Sequence, residues 1–208
     1  MVTENQQVMK DNVRNIHRDL YHVTNKSKQC QILLVPEMSM ITSSDVLNGD
    51  FYGLRTIQAN DWMYLCFNRI RTFVKKELHK NFTMSPFELV WGEEINDGRV
   101  VHVGMWVPDY VTDDLLQRAM LTRLGDDSYP LQIEKIPAYQ CVQVLHTGPY
   151  SLIHETVQHL GKFANEYGYQ IIEEQAKEIH LSHVNIGFPE QTNLLLRIPV
   201  RKKEPTQA

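Results

Sequence analysis

Long apolar runs are missing from this chain of 208 residues, and so is any excess of basic charge. No hydrophobic stretch approaches the ~20 residues that a membrane-spanning helix needs. The formal net charge is −4, which argues against a general nucleic-acid binder, because such proteins present a basic face. The opening residues, M-V-T-E-N-Q-Q, lack the charged and apolar regions of a signal peptide. Cysteine is sparse. Cys30, Cys66 and Cys141 are odd in number and have no metal-ligand spacing, so they read as reduced thiols of a cytoplasmic protein. There is no phosphate-cradling glycine loop, no dinucleotide fingerprint and no serine-centred elbow. Cys66 and Cys141 sit inside apolar patterns and read as core, not as nucleophiles. A metal site is not expected either. His154 and His159 are five residues apart, whereas a zinc-protease helix needs an i, i+4 pair. His180 and His183 have no evident third ligand. No cofactor is expected.

What the chain does have is a core. Hydrophobic residues make up 42%, enough for one domain or two small fused halves. Residues 1–19 are polar and aperiodic and read as a flexible lead-in, with Asp19-Leu20-Tyr21 as its anchor to the body. Gln31 to Thr42 reads as a strand with an internal Pro36, which marks a bulge or an edge. Ser43 to Gly53 reads as a polar loop. Trp62 to Leu78 carries an i, i+3, i+4 apolar stripe and is helical. Phe87 to Trp91 is a strand, and Asn96-Asp97-Gly98 turns it into a hairpin with Val100 to Val107. Thr112 caps a short helix to about Leu121. Leu131 to His146 is a second long strand with an internal Pro137. Gly148-Pro149-Tyr150-Ser151 turns into a helix over Leu152 to Tyr167, closed by Gly168. Lys177 to Leu181 and Asn193 to Val200 are strands, separated by a loop over His183 to Pro189. Residues 201–208 are a solvated tail.

The two halves repeat. Pro36 lies over Pro137 at an offset of 101, Glu88 over Glu178 at 90, and Val107-Pro108 over Ile198-Pro199 at 91. Two β-α-β-β units, spanning about 20–110 and 125–200, cannot bury their faces alone. The expected fold is therefore α+β: one antiparallel sheet with two main helices on one face and a ligand groove between the halves.

Glu178 is the residue the rest is organised around. It is one carboxylate in the strand K-E-I-H-L. Side chains alternate along a strand, so Ile179 and Leu181 are expected against the helices, with Glu178 and His180 on the opposite, groove side. Glu88 is expected to face the same groove. An acid held among aromatic rings has its pKa raised by desolvation and can bind a cation or act as a general acid or base. Trp91, Trp106, Tyr139 and Tyr150 are the candidate pocket rings, which suit a flat or cationic ligand. Trp62 reads as core. His146 closes a strand at the mouth of the groove. It either bonds the following turn or assists at the site.

The segments I-P-A-Y-Q-C-V-Q-V-L-H-T-G-P-Y, E-I-H-L-S-H and L-L-L-R-I-P-V resemble the GyrI-like small-molecule-binding domain. Its members include the gyrase inhibitory protein and the effector domains of multidrug-sensing activators. The first half, with D-L-Y, V-P-E-M-S-M-I and P-F-E-L-V-W-G-E, resembles a branch that includes cyclopropanoid cyclopropyl hydrolases. The resemblance covers about residues 19–200. It implies the duplicated sheet, and it places the pocket-floor carboxylate of the effector domains at Glu178. This chain has His180 where the family pattern carries tyrosine, and His183-Val184 where it carries Asp-Pro. Three readings follow. The first is a cytoplasmic stand-alone binder of hydrophobic, flat or cationic small molecules, monomeric or homodimeric, without nucleic-acid or membrane contacts. The second is a hydrolase of electrophilic cyclopropanoids with Glu178 as its catalytic group. The third is a protein partner of gyrase or of a regulator.

Overall fold

Each of the two long apolar strands breaks at its proline, and the two pieces join different halves of the sheet. The computed structural model describes residues 10–47, 58–96, 98–181 and 192–203. In the first half, β1 (Lys10–Asp11), α1 (Val13–Ile16) and α2 (Arg18–Tyr21) precede β2 (Gln31–Val35) and β3 (Met38–Leu47). Then come α3 (Gln58–Glu77), β4 (Asn81–Phe82), β5 (Phe87–Ile95), β6 (Gly98–Val107) and α4 (Asp113–Leu124). The second half has β7 (Gln132–Ile136), β8 (Tyr139–Gly148), α5 (Ile153–Glu166), β9 (Tyr169–Ile171), β10 (Lys177–His180) and β11 (Thr192–Lys202).

The antiparallel sheet runs β2-β8-β11-β10-β5-β6-β3-β7, with β9 added to β11. β8-α5-β10-β11 mirrors β3-α3-β5-β6 about the β10–β5 seam, as the repeat requires. β2 belongs to the first half by sequence but pairs with β8, Leu33 opposite Cys141. β7 belongs to the second half but pairs with β3, Lys135 opposite Ser39. A proline cannot donate to a ladder, so Pro36 and Pro137 end one pairing and let the chain begin another. Only two residues separate β2 from β3, and only two separate β7 from β8. The sheet therefore curls until its two ends come close. The region read as a polar loop from Ser43 is strand as far as Leu47, and residues 48–53 of that reading lie outside the described residues.

Helices α3 and α5 cover one face. Met63, Phe67 and Ile70 of α3 pack on Leu89, Val103 and Met105, with α4 behind them. Leu160 and Ala164 of α5 pack on Leu194, Leu196 and Ile198. Thr112 caps α4 by accepting from the Leu115 amide, and Gly125 ends it at φ 81°, a left-handed turn that costs glycine nothing. The second face holds its own cluster. Val13, Leu20 and Tyr21 pack there on Met40, Trp106, Ile179 and Leu195. The lead-in is thus not loose from Lys10 onward: it plugs the face that the helices leave open. Residues 1–9 of that reading lie outside the described residues.

Candidate functional site

Register decides which residues meet. Glu178 stands opposite Leu89 on one side and Leu196 on the other, both members of the helix-packed clusters. Glu178 and His180 therefore leave the helix face, and Ile179 leaves the other. This reverses the expected orientation. Glu88 stands opposite Ile179, so it too is on the face away from Glu178. The Glu88–Glu178 alignment at an offset of 90 is one residue off. Phe87 pairs with Met105 as Glu178 pairs with Leu196, which is an offset of 91 on both strands. One residue on a strand exchanges its faces.

At the seam between the two helix-covered halves lies a cleft of about 860 Å3, with Glu178 at its floor. The residue is only 3% exposed. Its Oε1 accepts from Trp91 Nε1 at 2.7 Å and from the Tyr150 hydroxyl at 2.6 Å. Its Oε2 lies 3.5 Å from His180 Nε2. Neither of those two buried atoms has a hydrogen-bond partner among the described residues. Burial, and then the adjoining Glu178 carboxylate, push the Tyr150 phenol far above its ordinary range. It stays a donor at every physiological pH. The two donors fix one carboxylate oxygen, and the other makes no hydrogen bond among the described residues.

Local sequence puts both donors in place. A register shift follows Trp91 on β5, and such a bulge bends the strand and re-aims its side chains. Gly148 at φ 126° and Pro149 at φ −60° turn the end of β8 into a single 3-10 turn, Tyr150–Leu152, that delivers the phenol over the sheet. Only glycine adopts the Gly148 conformation without strain. Ile153 and Val157 of α5, with Leu196, give the cleft its apolar wall. Glu94, Glu173 and Glu174 line its mouth. Arg99 also lines it, with its guanidinium 5.3 Å from the Trp91 ring centre and its Nε donating to the Gly92 carbonyl. Four carboxylates thus face one guanidinium, a formal charge of −3 with His154 neutral.

Glu88 is committed elsewhere. It is 5% exposed and accepts from the Tyr21 hydroxyl. Lys177 Nζ donates to its Oε2 at 3.3 Å, and Arg197 Nη1 lies 3.6 Å from its Oε1. Burial pushes its carboxyl up, but Lys177 and Arg197 outweigh that and hold it below the usual value. Arg197, fully buried, also donates to Gln143 Oε1 and to the Leu20 carbonyl, both at 2.8 Å. This network ties α2 to the sheet.

The remaining candidates disperse. Trp106 and Tyr139 lie on the face with Glu88, not around Glu178. His146 bonds Thr156 Oγ1 at 2.8 Å and the Pro149 carbonyl at 3.2 Å, so it locks the turn and does not line the cleft. His183 lies outside the described residues. Trp62 packs edge-on against Tyr129, in the core. Among the described residues no group of three metal-ligating side chains forms, and no helix is long and apolar enough to cross a membrane. Sequence reasoning missed Arg99, the acid-rich mouth and Arg197. The last had a signal: a lone arginine inside the apolar run L-L-L-R-I-P-V.

Comparison with known proteins agrees with this architecture. A hydrolase from Listeria innocua is 21% identical and superposes with a TM-score of 0.78, covering 92% of this chain and all of its own. A second hydrolase from the same organism is 22% identical, with a TM-score of 0.79 over 93% of this chain and all of its own. The EcmrR C-terminal domain is 16% identical, with a TM-score of 0.55 over 84% of this chain and 98% of its own. No protein of curated function matches. The family described as the GyrI-like small molecule binding domain matches residues 51–201. The chain belongs to that family.

Proposed function

We propose that this member of the GyrI-like family binds flat, hydrophobic organic cations in the helix-side cleft, with Glu178 as the polar anchor at the floor. One observation carries the reading: a buried carboxylate whose first oxygen is fixed by Trp91 and Tyr150, and whose second makes no hydrogen bond among the described residues. The acid-rich mouth supports a positively charged guest, since a cleft lined by one sign of charge concentrates the opposite sign. Trp91 and Tyr150 offer ring faces for stacking or cation–π contact, for which Arg99 already occupies one position. A thermal-shift screen of flat cationic dyes on wild type and Glu178→Gln tests the proposal. A ligand at about 100 times its dissociation constant stabilises by about 2.7 kcal/mol. Hits that vanish in the variant support the site. Hits indifferent to the variant, or none at all, oppose it and favour a macromolecular partner.

The same arrangement favours a second reading, hydrolysis of an electrophilic cyclopropane. Glu178 Oε2 would take a proton from water as the water oxygen bonds to a ring carbon. The broken C–C electron pair would pass to the neighbouring conjugated carbonyl system, which then takes up that proton. The net change is addition of one water. Two proteins of this fold carry the name hydrolase. Mass spectrometry of a cyclopropanoid after incubation separates the readings: a gain of one water that Glu178→Gln abolishes favours turnover, and unchanged substrate favours binding alone.

A further inference from the structure

The face of the sheet opposite Glu178 holds a second cavity, of about 800 Å3. Lys177 and Glu178 are consecutive, so their side chains leave opposite faces and the two cavities are separated by the sheet itself. Met40, Val90 and Ile136 give this second cavity an apolar wall. Three of its lining residues, Thr42, Ser43 and Tyr139, carry a buried hydroxyl with no hydrogen-bond partner among the described residues. Ser43 stands opposite Val103 of the helix-packed cluster, so Thr42 and Tyr139 are the two on this face. Buried polar atoms are nearly always paired, so two orphans on this face of the cavity call for an occupant. Lys177 Nζ stands 5.6 Å from the Tyr139 ring centre and spends one donor on Glu88. Glu88 pairs with Arg197, which is buried behind the lining, as well as with Lys177, so these three groups together carry one positive charge in excess. Glu134, the other carboxylate of the lining, is bonded to Gln132 at the exposed rim.

We infer that this cavity is a second binding site, for an apolar molecule that carries a carboxylate, whose oxygens would accept from Tyr139 OH, Thr42 Oγ1 and Lys177 Nζ. Its ligand is opposite in charge to the one proposed for the Glu178 cleft, and neither site depends on the other. Burial raises the Tyr139 phenol, so it remains a donor. Charge-assisted hydrogen bonds are the stronger kind, so an anion should gain most from these donors.

Calorimetric titration with dodecanoate, dodecanol and dodecyltrimethylammonium, each below its micelle concentration, tests the site with one tail and three heads. The expected result is one dodecanoate per chain, bound at least about tenfold more tightly than the other two. Tyr139→Phe and Thr42→Val remove only hydroxyls that bond nothing described. They should leave the melting temperature unchanged or raised and weaken dodecanoate by about tenfold each. Glu178→Gln should leave dodecanoate binding unchanged. The inference is overturned if dodecanoate does not bind, if the three heads bind alike, if the hydroxyl variants bind normally, or if Glu178→Gln abolishes binding.

Discussion

Glu88 and Glu178 lie one rung apart on adjacent strands and face opposite sides of one sheet. Their surroundings differ accordingly. Glu88 is enclosed by Tyr21, Lys177 and Arg197, while Glu178 is held by two neutral donors at the floor of an open cleft. The first arrangement ties α2 to the sheet, and the second is the one proposed to anchor a ligand. The two carboxylates should therefore separate cleanly in mutants. Glu88→Gln leaves Lys177 and Arg197 buried beside a lost partner and should cost about 3–5 kcal/mol in denaturant unfolding. Glu178→Gln should cost far less and remove cation binding.

The acid limb of stability should trace to Glu88. Its folded carboxyl lies below the ordinary 4.5, so its contribution is complete above that value and is lost as pH falls through the lowered one. The gap in melting temperature between wild type and Glu88→Gln should be wide near pH 7 and close in the acid range below about 4.5. A gap that stays constant with pH would remove Glu88 from the account.

Tyr150→Phe should act on the site and on stability together. It deprives a buried carboxylate oxygen of one of its two donors, which should cost about 1–3 kcal/mol. Ligand affinity should fall with it, because the carboxylate loses its fixed orientation. Chemical denaturation and a dye titration on the same preparation read both effects.

His146→Ala should behave differently. It breaks the bonds to Thr156 and to the Pro149 carbonyl, so the melting temperature should drop. At a temperature where the variant is folded, the loss in affinity should be smaller than that of Tyr150→Phe, since His146 does not line the cleft.

Removal of residues 1–22 should do more than trim a tail. Leu20 and Tyr21 are nearly or fully buried, and a large apolar side chain contributes about 1.5–3 kcal/mol by burial. Arg197 would also lose its bond to the Leu20 carbonyl, and Glu88 its bond from Tyr21. Circular dichroism melts should show a strongly destabilised or unfolded chain.

The duplicated architecture was legible because its evidence is long-range and redundant: matching prolines, helices and hairpins in both halves. Trp91, Tyr150 and Glu178 were legible as residue types. The structure adds that a bulge and a glycine turn bring the first two onto the third. The faces were not legible, because helix-to-end offsets of 90 and 91 look alike in sequence and yet opposite in a strand. In sequence Pro36 reads as a bulge or an edge, and Pro137 as a proline internal to a long strand. That each hands its strand to the other half depends on pairing partners 90 to 112 residues away. Glu173 and Glu174 reach the mouth through the short β9–β10 connection, a placement that no local pattern encodes.

The most direct measurement is a fluorescence titration of ethidium, a flat cation, and its uncharged analogue 6-phenylphenanthridine against wild type and Glu178→Gln. The account predicts that wild type prefers ethidium, and that Glu178→Gln loses about tenfold or more in ethidium affinity while binding the neutral analogue as before. Equal affinity of wild type and variant for ethidium would contradict the central claim that Glu178 anchors the ligand.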